Sequence, residues 1–318
     1  MGKGEEMDKK EFVGAVGEEL IRRLPEELKG GMTWAYEEVV KVNDTTLAGL
    51  ILRREGNLPS PTYYLDEDYE AYLKGRTMEK IAADLAKNCA MALKDAPAIE
   101  DLGDAAKLLP GKWSRYGVRL LEAARNRRFL ADAPHEEVGA GLVLAYDFKA
   151  VRAGREWRTI IQREMLEQSG LTEQELSRIA KESAWKEDRP YLAHVHPATG
   201  GLCAQNLLKR EEPVLMAEGQ MLVLSTRTGT YGAAALFAPG TTAKIGALLR
   251  DRFFAVPSSL HEFLILPERL APPAEVLTEM LRDVNRNCVQ PTDVLSDDVY
   301  LFGRDGSFLG KALTAHTC

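Results

Sequence analysis

Several features that would define a class of protein are scarce or missing in this 318-residue chain. Its four cysteines (Cys89, Cys203, Cys288 and Cys318) are scattered without a CxxC pair, which argues against a disulfide framework and favours a reducing compartment. No apolar run approaches the length needed to cross a bilayer, and the first residues contain no signal-peptide core. We therefore expect a cytoplasmic protein without a membrane partner.

A surplus of basic residues is also missing. The net charge is -7 and the isoelectric point is near 5.5, which disfavours a surface built for a phosphate backbone. One local basic stretch, AARNRR at residues 123–128, is interpreted as the solvated face of a helix, with a nucleic-acid patch as the alternative. Nucleic acid is thus not an expected partner.

The common nucleotide and catalytic motifs are incomplete. The stretch GSFLGKAL has its glycines one residue too close and Ala312 where a phosphate loop needs Ser or Thr. GAGLVL at residues 139–144 lacks the third glycine of a dinucleotide fingerprint. No GxSxG elbow occurs, and His261-Glu262 has no second histidine at the spacing of a zinc protease. The sequence predicts no cofactor.

Apolar periodicity predicts an α+β fold with mostly antiparallel sheets and packed helices. Helical spacing occurs at residues 9–28, 77–89 and 273–287, and Cys89 falls on the core face of the second. Apolar runs around Asn43-Asp44 and Asp305-Gly306 are typical of β-hairpins. Residues 95–112, rich in Asp, Ala and Pro, suggest a connection, so we expect one α+β domain over residues 1–132 and another over 133–318.

Some segments give more specific predictions. A helix is expected over about 114–130, a strand over TYGAAALF at 230–237, and a capping box at Thr172 and Glu175. Residues 184–200 show no clear element. One face of the helix at 273–287 is predicted to carry Val276, Leu277, Met280, Leu281 and Val284.

The stretch AVPSSLHEFLILPE at residues 255–268 raises a catalytic hypothesis, with Ser258, Ser259, His261 and Glu262 as candidates. A hydrolase would use Ser258 or Ser259 with His261 as the base. The run LHEFLIL is rich in β-formers, however, and Pro267 follows too soon for a helix. A Pro-Ser-Ser turn that enters a central strand, covered on both faces, is therefore the favoured interpretation.

Two further groups are weaker candidates. His194, His196 and Cys203 have a spacing that a metal site can use, but a full ligand set is not specified, so packing or surface histidines are favoured and no metal is predicted. Asp297 and Tyr300 lie in VLSDDVYLF, where a ligand-binding role is the alternative to a turn. Asp and Ser before a strand usually bond their own backbone, which favours the turn.

The last third of the chain resembles a family known only as a domain of unknown function, abundant in gut-dwelling anaerobic Gram-positive bacteria. Its proline-serine-serine-x-histidine-glutamate motif matches Pro257, Ser258, Ser259, His261 and Glu262. A second motif matches Val284, Asn285, Val289, Pro291, Leu295, Ser296, Asp297, Val299 and Tyr300. Ser169 replaces a tryptophan of the family pattern, and Ser183-Ala184 replaces an asparagine-threonine pair. The resemblance implies no known activity.

No set of residues in the chain has the spacing that catalysis demands, so we expect a non-enzymatic binding or regulatory protein with a protein or small-molecule partner. Two alternatives stay open. One is the serine-dependent hydrolase at Ser258 or Ser259 with His261. The other is an accessory protein of a mobile element that contacts nucleic acid through residues 123–128.

Overall fold

The computed structural model describes residues 7–53, 62–94, 115–152, 155–195 and 205–315. Contacts divide the chain into two compact units. The first comprises Met1–Lys41, Thr45–Leu108 and Val151–Arg155; the second comprises Val42–Asp44, Leu109–Ala150 and Glu156–Cys318. Helices and antiparallel sheets occur in both, which confirms the α+β prediction. The connection predicted at residues 95–112 lies outside the described residues, and the domain border at 132 stays a prediction.

The first unit packs helices against a three-stranded antiparallel sheet of order β1-β2-β3. Its helices are α1 (Lys9–Arg23), α2 (Glu26–Lys29), α3 (Asp66–Leu73) and α4 (Met78–Lys94), and its strands are β1 (Thr33–Val40), β2 (Thr46–Arg53) and β3 (Thr62–Tyr64). The apolar face of α1 is fully buried at Phe12, Val16 and Leu20, and Cys89 of α4 is buried as expected. The predicted hairpin of β1 and β2 is confirmed.

The second unit contains a six-stranded antiparallel sheet of order β13-β12-β10-β11-β9-β8 and a four-stranded sheet in which β6 pairs with β4, β5 and β7. The strands are β4 (Arg115–Glu122), β5 (His135–Gly139), β6 (Leu142–Arg152), β7 (Arg155–Ile160), β8 (Pro190–His194), β9 (Leu222–Thr226), β10 (Phe253–Ser259), β11 (Glu262–Pro267), β12 (Tyr300–Phe302) and β13 (Phe308–Lys311). The helices are α5 (Arg127–Ala131), α6 (Arg163–Ser169), α7 (Glu173–Glu187), α8 (Thr241–Leu249), α9 (Ala274–Asn287) and α10 (Ala312–Ala315).

The helix predicted over 114–130 is wrong, because residues 115–122 form strand β4. This strand pairs with β6 along all eight of its residues. Residues 116–121 are buried on both faces, so apolar residues recur at intervals that resemble helical spacing. Gly117 lies against Lys149 of the partner strand, where a Cβ would be 2.5 Å from Lys149 Cε. Long-range strand pairing therefore outweighs a local pattern that a helix also fits.

Two other segment predictions are corrected. Residues Gly232–Phe237 form a 3-10 helix rather than a strand, and this helix starts from Tyr231 in the left-handed conformation. Its alanines and Leu236 are buried. Residues 184–200, expected to lack an element, contain the end of α7 and the strand β8. The capping box at Thr172 and Glu175 is confirmed at the start of α7.

The apolar face predicted for α9 is only partly buried. Leu277 and Leu281 belong to a core cluster with Phe254 and Leu301, whereas Met280 and Val284 are exposed. The exposed pair helps to line an apolar groove of about 450 Å³ beside β11. In the described ranges, no helix is both long and apolar enough to span a membrane.

Candidate functional site

Residues 255–268 form a β-hairpin. Ser259 of β10 pairs with Glu262 of β11, and Leu260 and His261 make the turn between them. The serines thus end a strand, so the turn predicted at Pro257, Ser258 and Ser259 is wrong. The turn forms at Leu260 and His261 instead, where the Leu260 side chain is buried and its N–H donates to the carbonyl of Asp293.

Strand β11 lies between β10 and β9, which confirms a central position in the sheet. Phe263 and Ile265 are buried on one face, while Leu264 and Leu266 on the other are partly buried against the cluster under α9.

The hydroxyl groups of the two serines make hydrogen bonds within this hairpin. Ser258 Oγ donates to Glu262 Oε1 at 2.9 Å, and Ser259 Oγ accepts from the His261 N–H at 3.0 Å.

The His261 imidazole is held by the backbone of another loop. Its Nδ1 accepts from the N–H of Tyr231 at 3.0 Å, and its Nε2 lies 3.8 Å from Asp293 Oδ1. Because Nδ1 must accept, the neutral ring carries its proton on Nε2 and has no lone pair to offer a serine. Within the described part of the chain, neither serine hydroxyl bonds to the imidazole. The serine hydrolase stays an untested hypothesis that this geometry does not support.

The contacts of His261 and Glu262 give a stability prediction. Replacing His261 with Ala leaves the Tyr231 N–H without its acceptor, and replacing Glu262 with Ala removes the acceptor of Ser258. A buried donor or acceptor that loses its hydrogen-bond partner lowers the free energy of unfolding by about 1–3 kcal/mol. Both residues are only partly buried, so we expect each change to lower the free energy of unfolding by about 1 kcal/mol.

Denaturant melts of His261→Ala and Glu262→Ala measure that loss. His261→Asn is the control, since its side-chain oxygen is able to accept the same N–H, and it should keep part of the stability. Two variants that melt like the parent protein, with the loss of a measurable activity instead, contradict a structural role for this stretch.

A buried ion pair supports the same loop from the four-stranded sheet. Arg119 Nε of β4 donates to Asp147 Oδ2 of β6 at 2.7 Å, and the Asp147 side chain is fully buried. Burial opposes the charge on Arg119, but the Asp147 carboxylate outweighs it and raises the pKa of the guanidinium. The guanidinium carbon lies 4.1 Å from the centre of the Tyr231 ring, a cation–π distance. Tyr231, with a φ of 53°, is therefore held from both sides.

The predicted ligand residues Asp297 and Tyr300 both make contacts inside the fold. Asp297 pairs with Arg125 and accepts from Asn285 Nδ2 at 2.8 Å. The Tyr300 hydroxyl donates to Ser296 Oγ at 2.9 Å, and burial raises the pKa of this phenol. Ser296 Oγ also accepts from the N–H of Asp298, the backbone bond typical of a turn. These contacts suit a structural role, and ligand binding by this pair stays a prediction.

Of the three metal candidates, His194 ends β8, whereas His196 and Cys203 lie outside the described residues. Among the residues that the structure does describe, no three His, Cys, Asp or Glu side chains gather closely enough to hold a metal ion.

The basic stretch at 123–128 is divided between a 3-10 helix at Ala123–Arg125 and α5, with Arg125 paired to Glu122.

A cleft that the sequence did not reveal lies at the end of α7, beside β8 and β9. Its first lobe has a volume of about 890 Å³ and brings together five basic side chains: Lys186, Arg189, Lys209, Arg210 and Arg227. None of the five forms an ion pair within the described ranges. Glu187 is an acidic residue on the same rim. We call this cleft the basic cleft.

Thr226, at the end of β9, lines the first lobe of the basic cleft. The residue is 6 % exposed, and its Oγ1 has no hydrogen-bond partner in the described part of the chain. A buried hydroxyl without a partner costs free energy unless something else satisfies it. Thr226 is therefore a buried polar group in the floor of the lobe whose hydrogen-bonding capacity the described residues do not satisfy.

The second lobe adjoins the first and shares Arg189, Asn206 and Lys209 with it. Its volume is about 620 Å³, and Trp185, Leu208 and Pro239 contribute to its lining. The cations that line only this lobe have partners: Lys181 pairs with Glu136, and Lys244 lies 3.6 Å from Glu211. The two lobes thus differ in charge, since among the described residues the cations without an ion pair lie in the first lobe or at the junction.

Two polar side chains, the partly buried Asn206 and the buried Asp188, hold the walls of the basic cleft in place. Asn206 Oδ1 accepts from the N–H groups of Leu192 and Leu208, and its Nδ2 donates to Pro190 O at 2.9 Å. Asp188, just after α7, accepts from both the N–H and the hydroxyl of Thr228. These bonds join α7, β8 and the loop after β9, so the cleft is largely formed before any ligand arrives.

The fold and this cleft define an α+β protein with a cleft rich in basic side chains in its larger unit. The chain belongs to a family of unknown function, DUF5688, whose pattern matches residues 9–304. This match confirms the resemblance to a domain-of-unknown-function family. No curated protein and no solved structure matches the chain.

Proposed function

We propose that this protein is an intracellular, non-enzymatic binding protein that takes up a phosphorylated small molecule in the basic cleft. The observation that carries the proposal is a group of five cations without an ion pair among the described residues, on a lobe of about 890 Å³ in a chain with a net charge of -7. Like charges placed together repel each other unless an anion compensates them. A cleft that retains such a group is suited to an anionic ligand.

Arginine chemistry and cleft size both favour a phosphorylated small molecule. Arg189, Arg210 and Arg227 offer planar donors that match phosphate oxygens two at a time. Small-molecule sites have volumes of roughly 300–1,000 Å³, which includes the lobe described above. An extended nucleic acid would need a longer basic surface than one cleft, and the net charge opposes it.

The absence of a paired nucleophile and base at residues 258–262 supports a binding role over a hydrolytic one. A fluorophosphonate probe separates the two functions. We expect no labelling of the wild-type protein, and labelling that Ser258→Ala or Ser259→Ala abolishes would favour the hydrolase instead.

Titration calorimetry with inorganic tripolyphosphate tests the proposal directly. We expect binding that weakens as salt rises, because charge attraction supplies most of it. The double variant Arg189→Gln with Lys209→Gln should bind tripolyphosphate at least about tenfold more weakly, since one lost charged hydrogen bond costs about 1.5–3 kcal/mol.

The control variant is Arg22→Gln with Lys74→Gln, which changes the net charge equally at two exposed side chains of the first unit. It should bind tripolyphosphate like the wild-type protein. Equal affinities of the two double variants would show that net charge, rather than the basic cleft, determines binding. A wild-type protein that binds no tripolyphosphate at low salt would contradict the proposal itself.

A further inference from the structure

We infer that the ligand of the basic cleft is a nucleoside polyphosphate, with its phosphates in the first lobe and its base against Trp185 in the second. This inference rests on the proposed function and names the class of ligand. It is carried by the different chemistry of the two lobes, which adjoin each other at Arg189, Asn206 and Lys209.

The distribution of unpaired charge fixes the direction of the ligand. In the described part of the chain, the first-lobe cations without an ion pair include Arg210 and Arg227, and the shared residues Arg189 and Lys209 add two more at the junction. In the second lobe, Glu136 compensates Lys181 and Glu211 lies near Lys244. An anionic end is therefore attracted to the first lobe and the junction, and a neutral end is accepted in the second.

The second lobe also has the surface that a planar base requires. Trp185 of α7 lines it together with Leu208 and Pro239, and this tryptophan is only partly buried. Any of the nucleic-acid bases is able to stack on an aromatic side chain, because each base has a flat π face. A molecule with a polyphosphate at one end and an aromatic ring at the other matches both lobes. A sugar phosphate has no aromatic ring and would leave the surface of Trp185 in the second lobe uncovered.

The buried Thr226 adds a polar group to the first lobe. Its Oγ1 is buried in the floor of this lobe and has no hydrogen-bond partner among the described residues. The hydroxyl lies on β9, a strand of the sheet, and so belongs to the rigid floor of the cleft rather than to its rim.

The test compares ATP with inorganic tripolyphosphate on the full-length wild-type protein, without magnesium and at the same salt. Tripolyphosphate carries at least as much negative charge as ATP, so charge alone predicts that it binds at least as tightly. Stacking on Trp185 predicts instead that ATP binds about tenfold more tightly. Binding of ATP should also change tryptophan emission.

Variants of Trp185 connect that difference to the second lobe. Trp185→Leu should weaken ATP binding about tenfold and leave tripolyphosphate binding unchanged, while Trp185→Phe, which keeps an aromatic ring, should retain most of the ATP affinity. Trp34→Leu, at a partly buried tryptophan of the first unit, is the control and should alter neither affinity. If Trp185→Leu fails to fold, the two ligands on the wild-type protein still decide the question.

The outcomes separate the two proposals. Equal affinities for ATP and tripolyphosphate overturn the nucleotide assignment and leave the anion-binding proposal standing. Failure of both ligands to bind overturns the proposed function and the assignment with it. A single-stranded oligonucleotide that binds more tightly than ATP overturns the assignment in favour of a nucleic-acid partner.

Discussion

Replacing Arg119 with Ala is expected to lower the free energy of unfolding by about 3–5 kcal/mol, the cost of removing one member of a buried ion pair. The change leaves the fully buried Asp147 carboxylate without its Arg119 partner. Oδ1 of the same carboxylate already has no hydrogen-bond partner in the described ranges. The variant also loses the cation–π contact with Tyr231. Chemical denaturation, followed by circular dichroism, measures the loss.

Two controls show whether the isolated carboxylate causes the loss. The double variant Arg119→Met with Asp147→Leu removes both charges, and it should recover most of the stability because apolar pairs of similar size often replace buried ion pairs without cost. Arg178→Ala breaks an exposed pair with Glu182 on α7 and should cost less than about 1 kcal/mol. An Arg119→Ala protein as stable as Arg178→Ala would show that the buried pair does not hold the sheet.

Replacing Gly232 with Ala is expected to cost about 3 kcal/mol or more, the upper end for overpacking a filled core. A Cβ at this position would lie 2.6 Å from the carbonyl oxygen of His261 and 2.7 Å from the N–H nitrogen of Thr226. It would also overlap Ser225 Oγ, which donates to that same carbonyl. Since two of the three neighbours are backbone atoms, a side-chain rotation does not relieve the clash.

The matched control is Gly30→Ala. Gly30 has a negative φ of -54°, and no heavy atom lies within 4 Å of a Cβ built there. Alanine has less conformational freedom than glycine in the unfolded chain, so this change should be neutral or slightly stabilising. Because Gly232 lies beside Tyr231 and Thr226, Gly232→Ala should also weaken ligand binding in the basic cleft. Equal stability of the two alanine variants would contradict the close packing at Gly232.

Local chemistry was sufficient to predict several elements. The spacing of Phe12, Val16 and Leu20 identified α1, and Thr172 with Glu175 identified the start of α7. Asn43 and Asp44 marked the turn between β1 and β2, where both residues adopt the left-handed conformation that these side chains tolerate. Each of these features depends on residues a few positions apart, so the sequence contains the whole signal.

Other elements depend on partners that are distant in the chain. Strand β4 has apolar residues that also fit a helix, and its pairing with β6 decides between the two. The role of His261 was similarly hidden, because its acceptor function is satisfied by the backbone of Tyr231, which belongs to a different loop. No periodicity in residues 255–268 indicates which N–H will face the imidazole.

The sequence by itself determined the α+β class, most helix positions, the hairpins and the family. Only the tertiary structure decided where unpaired charge collects. Lys186, Lys209 and Arg227 come from three separate segments of the chain. In the sequence, none of these segments stands out as basic. The pairing of β8 with β9 and the bonds of Asn206 bring these segments to one cleft. Attraction between charges depends on distance in space, so a chain with a net charge of -7 is able to carry a local cationic site.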